Sequence, residues 1–398
     1  MFTRQGREGP PRIGITIKQG GNWFMNPAGR LNWLYGRDST GALDSLNLYQ
    51  QEQAAGRPMF QTGQVQSYGI NVSGGAQVVR YYLSTTFAHD AGIVSYNWRR
   101  RINTQANVSL LPSDKFDVRT SLAFLQNDTR LGQAVTAYGL MEQIESGTPA
   151  TKDTPLRGFF RATPEAVATI DSREGIDRVI GSIRFRHQPW SWLTQRLTVG
   201  ADLGDETSFT LFPRQPEGTF CFFGDLCLGN RTVDRRRVTY STLDYGLSGT
   251  ALLAAALRSV TSLGAQYYRK RITTGNIVCQ GFADPGITQC SGAAQASGSE
   301  DQVENKTAGV YAQQQFGWKN RLFLTGALRA DDNSAFGANF NFVMYPKLAA
   351  TWVASDEPFW KVVPWVNALK LRAAWGAAGQ HPTPSPPSAS TSRSRAGR

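Results

Sequence analysis

The chain alternates between apolar and polar positions. Tyr68, Ile70 and Val72 interleave with Gly69, Asn71 and Ser73, and beyond Gly74-Gly75-Ala76-Gln77 the pattern resumes as Tyr81, Leu83, Thr85 and Phe87 against Tyr82, Ser84, Thr86 and Ala88. Period two around a glycine-rich turn predicts a β-hairpin, because successive strand side chains point to opposite faces. The same reading places strands at 12–18, 102–110, 118–124, 178–187, 196–202, 238–248, 260–270, 307–316, 321–331, 341–352 and 369–376. The series amounts to about thirteen strands. In the last, Leu369, Leu371, Ala373 and Trp375 alternate with Lys370, Arg372 and Ala374, giving one apolar and one basic face.

A sheet packed on a soluble core shows the same alternation, so alternation alone does not require a membrane. Connection lengths discriminate better. Short turns at 74–77, 112–115, 190–192, the Ala-rich 251–257 and 317–320 take turns with long segments at 125–177, 203–237 and 271–306. Another long stretch, 20–66, is irregular and aromatic and reads as an exposed loop. Strict alternation of short and long connections follows from an up-and-down barrel with turns on one rim and loops on the other. The fold class is therefore all-β, an antiparallel up-and-down transmembrane β-barrel.

Composition agrees. Of 398 residues 40 are Gly, 11% are aromatic and only 18% are charged. No apolar run approaches the roughly 18 residues of a membrane helix, whereas a barrel spreads its hydrophobicity over alternate positions. The net charge of +12 invites a nucleic-acid reading, yet the dense runs are only Arg99-Arg100-Arg101 and Arg235-Arg236-Arg237, each at the foot of a predicted strand. No helix-turn-helix or zinc-finger spacing surrounds them, so nucleic acid is not an expected partner, and a strand end, lumen or lipid-headgroup contact is the better use.

Cys221 with Cys227 and Cys279 with Cys290 form two close pairs, each within a predicted loop. They are candidate disulfides of an oxidising compartment, with free thiols as the alternative. Neither spacing is C-x-x-C, and His89, His187 and His381 lie elsewhere, so no zinc site is expected. Asp331-Asp332-Asn333 offers hard oxygens but lacks the rest of a calcium loop. With no nucleophile elbow, metalloprotease helix, P-loop or dinucleotide fingerprint, no enzyme activity, cofactor or catalytic residue is predicted.

Several segments, in order, resemble the SusC/RagA family of TonB-linked outer-membrane proteins: residues 68–75 with 81–84, the stretch Leu328-Arg-Ala-Asp-Asp-Asn-Ser-Ala-Phe-Gly337, then 345–352 and 369–376. Phe2-Thr-Arg-Gln-Gly6 is similar to the family's passage from plug to barrel. The resemblance implies a barrel of about 22 strands. It also implies uptake of oligosaccharides or peptides, with TonB and a SusD-like surface lipoprotein as partners, in the outer membrane of a Gram-negative-type cell. Residues 1–11 then read as a remnant of the plug-to-barrel junction and 12–380 as a partial barrel. The signal peptide, the TonB-contacting segment, most of the plug and the last third of the barrel are expected to lie outside this sequence, and TonB would act through that missing segment. As a barrel fragment with open edges, the chain is not expected to transport anything alone.

Residues 381–398, rich in Pro, Ser and Arg, are expected to be disordered, as out-of-frame translation or a fragment end. Under this resemblance the loop aromatics Trp23, Phe24, Trp33, Tyr35, Phe220, Phe222 and Phe223 are candidate substrate contacts, with girdle or loop packing as their other use. Exposed aromatics and the lack of an apolar leader leave a soluble carbohydrate-binding β-protein as the alternative.

Overall fold

The computed structural model describes residues 4–131, 138–334, 342–360 and 366–379. The expected tail, the break at Gln380 and part of the 328–337 segment lie outside these residues. In chain order, β1 (Gly9–Asn22) is followed by α1 (Pro27–Arg30), β2 (Leu34–Arg37), β3 (Leu43–Leu46) and α2 (Leu48–Ala54). Then come β4 (Gly63–Gly75), β5 (Val79–Ala91), β6 (Trp98–Ser113) and β7 (Phe116–Arg130). The helices α3 (Leu140–Glu145) and α4 (Pro164–Thr169) precede β8 (Asp171–Trp190), β9 (Leu193–Phe212), β10 (Asn230–Ala254) and β11 (Leu257–Phe282). The series ends with β12 (Ala293–Trp318), β13 (Leu322–Asn333), β14 (Val343–Val353) and β15 (Lys370–Gly376).

The strands β2 and β3 pair with each other, and the rest form one 13-stranded antiparallel sheet whose spatial order is chain order. Among the described residues its edges are β1 and β15, and no pairing closes the wall. Every strand predicted from alternation is present.

Strand ends differ from expectation. The segment expected as a loop at 203–237 is one only over 213–229: β9 runs to Phe212 and β10 starts at Asn230. Arg235-Arg236-Arg237 therefore sits within β10, and Cys279 within β11. The Ala-rich segment is mostly strand, since β10 continues to Ala254. At 25, 26 and 26 residues, β10, β11 and β12 far exceed the about 9–11 that cross a bilayer, so they project beyond it.

Register assembles the two faces. Val199 opposes Leu243 and Leu243 opposes Tyr267, while Leu263 opposes Ala312 and Ala312 opposes Leu328. At the far edge Leu348 opposes Trp375. This face is exposed, with Leu348 at 59% and Trp375 at 62%. An apolar patch spanning a whole sheet is unfavourable in water but suits lipid, where a barrel needs an apolar band about 25 Å tall. At the short-turn rim Trp190 and Trp192 stack with ring centroids 5.5 Å apart, in the manner of an interfacial aromatic belt.

The buried cores lie in the connections at the opposite rim. Leu31, Leu46, Leu48, Met59, Leu140, Ile144 and Phe159 form one cluster. Tyr96, Ala162, Val167, Ile170, Phe212 and Phe223 belong to a second, and Val94 packs against both. The segment expected to be an exposed loop at 20–66 is thus partly strand and partly a folded half of this cover. No helix among the described residues is long and apolar enough to cross a membrane.

Candidate functional site

The face opposite the apolar one is polar, and the chain's first described residues lie on it. Asn107 Nδ2 donates to the Arg4 carbonyl at 2.6 Å, Ser109 Oγ donates to Gln5 at 3.0 Å, and Arg80 pairs with Glu8 at 3.4 Å. Gly6 is needed here, since a Cβ would collide with the Tyr81 backbone. A segment leading into β1 across this face makes it the inner one, because the outer face is the lipid-compatible one.

Across β9 to β13 the inner face carries a continuous polar ladder. Arg196 donates to Asp244 at 3.3 Å, Gln266 donates to the other Asp244 oxygen, Arg329 donates to Gln266, and Arg329 Nε reaches both Asp331 oxygens at 2.8 Å. Higher up, Arg178 grips Asp202 through Nε at 2.7 Å and Nη2 at 2.5 Å. Alternation splits Asp331-Asp332-Asn333: Asp331 turns to Arg329 and Asn333 to Asn305 at 3.1 Å, on the face opposite to that of Asp332. That spacing does not gather three oxygens on one cation, and no metal-holding cluster of acidic, Cys or His residues occurs among the described residues. The ladder was visible in sequence only as polar alternates; its pairing depends on register.

Lys370 and Arg372 oppose Val353 and Thr351 on the same inner face. In the basic run, Arg236 turns inward to Glu206 at 3.0 Å, while Arg237 turns outward to Asp205 at 2.7 Å.

The cover formed by these rim connections holds the predicted aromatics and divides them. Trp23, Trp33, Tyr35 and Phe220 are open to solvent, Tyr35 at 79%. Phe24 packs edge-on against Phe60 at 5.0 Å, and Phe222 against Phe220 at 4.9 Å. Phe223 is 1% exposed, wedged between Phe212 and Tyr138, so in this conformation it is a packing residue. Cys221 is bonded to Cys227 and Cys279 to Cys290.

A buried carboxylate joins two parts of the cover. Glu52 on α2 is fully buried and meets Arg57 at 2.7 Å and Arg157 at 3.1 Å, and Arg157 also binds Glu165 on α4 at 2.7 Å. Partial burial raises the Glu165 pKa, but the Arg157 hydrogen bond and charge outweigh it and leave this carboxyl below its ordinary value.

A family model described as TonB dependent receptor-like, beta-barrel matches residues 111–397. The chain belongs to this family. The TonB-dependent receptor P26 of Formosa agariphila is 22% identical over 330 residues, covering 78% of this chain and 32% of that protein. The TonB-dependent receptor SusC of Bacteroides thetaiotaomicron is 31% identical over 78 residues, covering 20% of this chain and 8% of that protein. Among solved structures, the RagAB peptide transporter superposes with a TM-score of 0.72 at 12% identity, over 94% of this chain and 48% of that chain. That likeness is one of fold. The chain spans about a third of the length of the relative P26. TonB-dependent receptors of this family are outer-membrane transporters, so the two faces read as lipid-facing and lumen-facing walls.

Proposed function

We propose that this chain is part of the wall and outer cover of an outer-membrane importer that takes up an oligosaccharide or peptide with energy delivered by TonB, beneath a SusD-like surface lipoprotein. The observation that carries the reading is the inner face: a polar lane over β9 to β13, in a wall whose rim carries folded connections with exposed Trp23, Trp33 and Tyr35. Flat rings at the mouth suit sugar stacking, and the charge-assisted ladder suits a wet passage. No step in this reading needs catalysis. TonB would act on a part of the receptor outside these residues.

Membrane fractionation and uptake test this together. The receptor carrying this segment should sediment with outer membranes and resist extraction by salt. Its deletion should abolish growth on an oligosaccharide or peptide as sole nutrient, with rescue dependent on TonB. Recovery in the soluble fraction would favour the soluble carbohydrate-binding alternative and end this reading.

A further inference from the structure

One strip of the inner face is not neutralised by its neighbours. Arg119 of β7 lies directly opposite Arg184 of β8, and Arg186 of β8 directly opposite Arg196 of β9. Opposed residues have Cβ atoms about 5 Å apart, and like charges at that spacing destabilise a sheet. Asp117 meets Arg119 at 3.2 Å and Arg186 at 3.4 Å, and Asp244 meets Arg196 at 3.3 Å. Two carboxylates thus serve three guanidiniums. Arg184, the fourth, has no hydrogen-bond or ion-pair partner among the described residues.

Beside the strip is a recess of about 300 Å³ lined by Arg186, Arg196, Thr194, Ser248, Ser262 and Tyr311. The Ser248 and Ser262 hydroxyls are 3.2 Å apart. Tyr311 lies over Gly264, where a Cβ would collide with its ring, so the glycine leaves the room that the ring occupies. Guanidiniums offer forked donors and no acceptor, and hydroxyls rotate to donate beside them. Such a donor set matches the oxygens of a carboxylate or sulfate, which would also relieve the opposed arginines.

We infer that this strip binds the oxyanion groups of the cargo, which makes that cargo an acidic oligosaccharide. The sugar class comes from the exposed rings at the mouth, and the charge from the strip. The inference rests on the importer reading but has its own test.

The intact receptor carrying this segment, purified from outer membranes in detergent and verified as β-structured by circular dichroism, is titrated calorimetrically with tetragalacturonate and with a neutral galactose tetramer. The acidic tetramer should bind about tenfold more tightly or better, and its affinity should fall as salt rises from about 50 to about 200 mM, since screening weakens exposed charge pairs. Arg184→Gln should weaken it about tenfold, as the loss of one charge-assisted contact does. Because Arg184 holds no partner, this variant should fold at least as well as the parent protein. Equal affinity for the two tetramers, or no binding of the acidic one by β-structured protein, would overturn the inference while leaving membrane fractionation and uptake untouched. Binding of inorganic sulfate as tight as that of the tetramer would reduce the strip to a simple-anion site and overturn the cargo assignment. So would a preference for tetraglutamate, which would point to an acidic peptide instead.

Discussion

Replacing Glu52 by Gln should loosen the cover without touching the wall. Glu52 is fully buried and sits between Arg57 and Arg157, whose side chains are 41% and 27% exposed. Removing one member of a fully buried pair costs about 3–5 kcal/mol, because the remaining charge is left uncompensated. Both arginines reach water, and Gln can still accept one hydrogen bond, so about 2 kcal/mol is the appropriate figure here. That corresponds to roughly a thirtyfold rise in the open population, at about 1.4 kcal/mol per factor of ten. Native-state hydrogen exchange reads it directly. The amides of α2 and of the 156–160 segment should exchange roughly thirtyfold faster, while those of β10 and β11 keep their rates. Adding Arg157→Gln should cost much less in the Glu52→Gln background than in the parent, because the two share one interaction. Unchanged exchange in α2, or an equal rise across β10 and β11, would show that Glu52 does not join the two halves of the cover.

Three further outcomes follow from the same geometry. Glu165 titrates below its ordinary value when folded, so its pairing with Arg157 adds stability above the unfolded carboxylate pKa of 4.5 and loses it as pH falls through the lower folded value. Proteolysis of the 138–170 segment should therefore accelerate as pH drops below about 4.5, and Glu165→Gln should remove that component. Leu263→Arg places a charge on the lipid face and should cost about 2–4 kcal/mol, seen as loss of the heat-modifiable folded band on a gel. Cys279→Ser opens the bond that spans 11 residues and should cost the 283–292 loop about 2–3 kcal/mol of ordering, read as new protease cleavage there with β11 intact.

The wall was legible and the cover was not, for a physical reason. A strand between lipid and water must alternate, so residues such as Leu243, Asp244 and Tyr245 announce their faces one by one. Above the bilayer both faces meet water: Asn276, Glu300 and Asp301 carry no alternation although they lie in β11 and β12, so pattern alone assigns those strand ends to loops. The cores of the cover draw Leu31, Leu48, Ile144 and Phe159 from separate segments, each too short to show a period of its own. The inner ladder is a third case. Arg196, Asp244, Gln266 and Arg329 stand on different strands, and only register brings them within reach. Phe223 looks like its neighbour Phe222 in sequence, but packing against Phe212 and Tyr138 takes it out of solvent.

The cover also has a mechanical consequence. Hydrogen bonds along a sheet join only neighbours, so an open ribbon of strands can flex to many curvatures. The two clusters that share Val94 join the connections after β1, β5, β7 and β9, four successive points along one rim of the sheet. They act as a chord drawn across an arc. With that chord in place, the outer ends of β1 to β10 cannot spread or flatten independently, and the curvature of the wall is set by packing at the water-facing rim as well as by the strands in lipid.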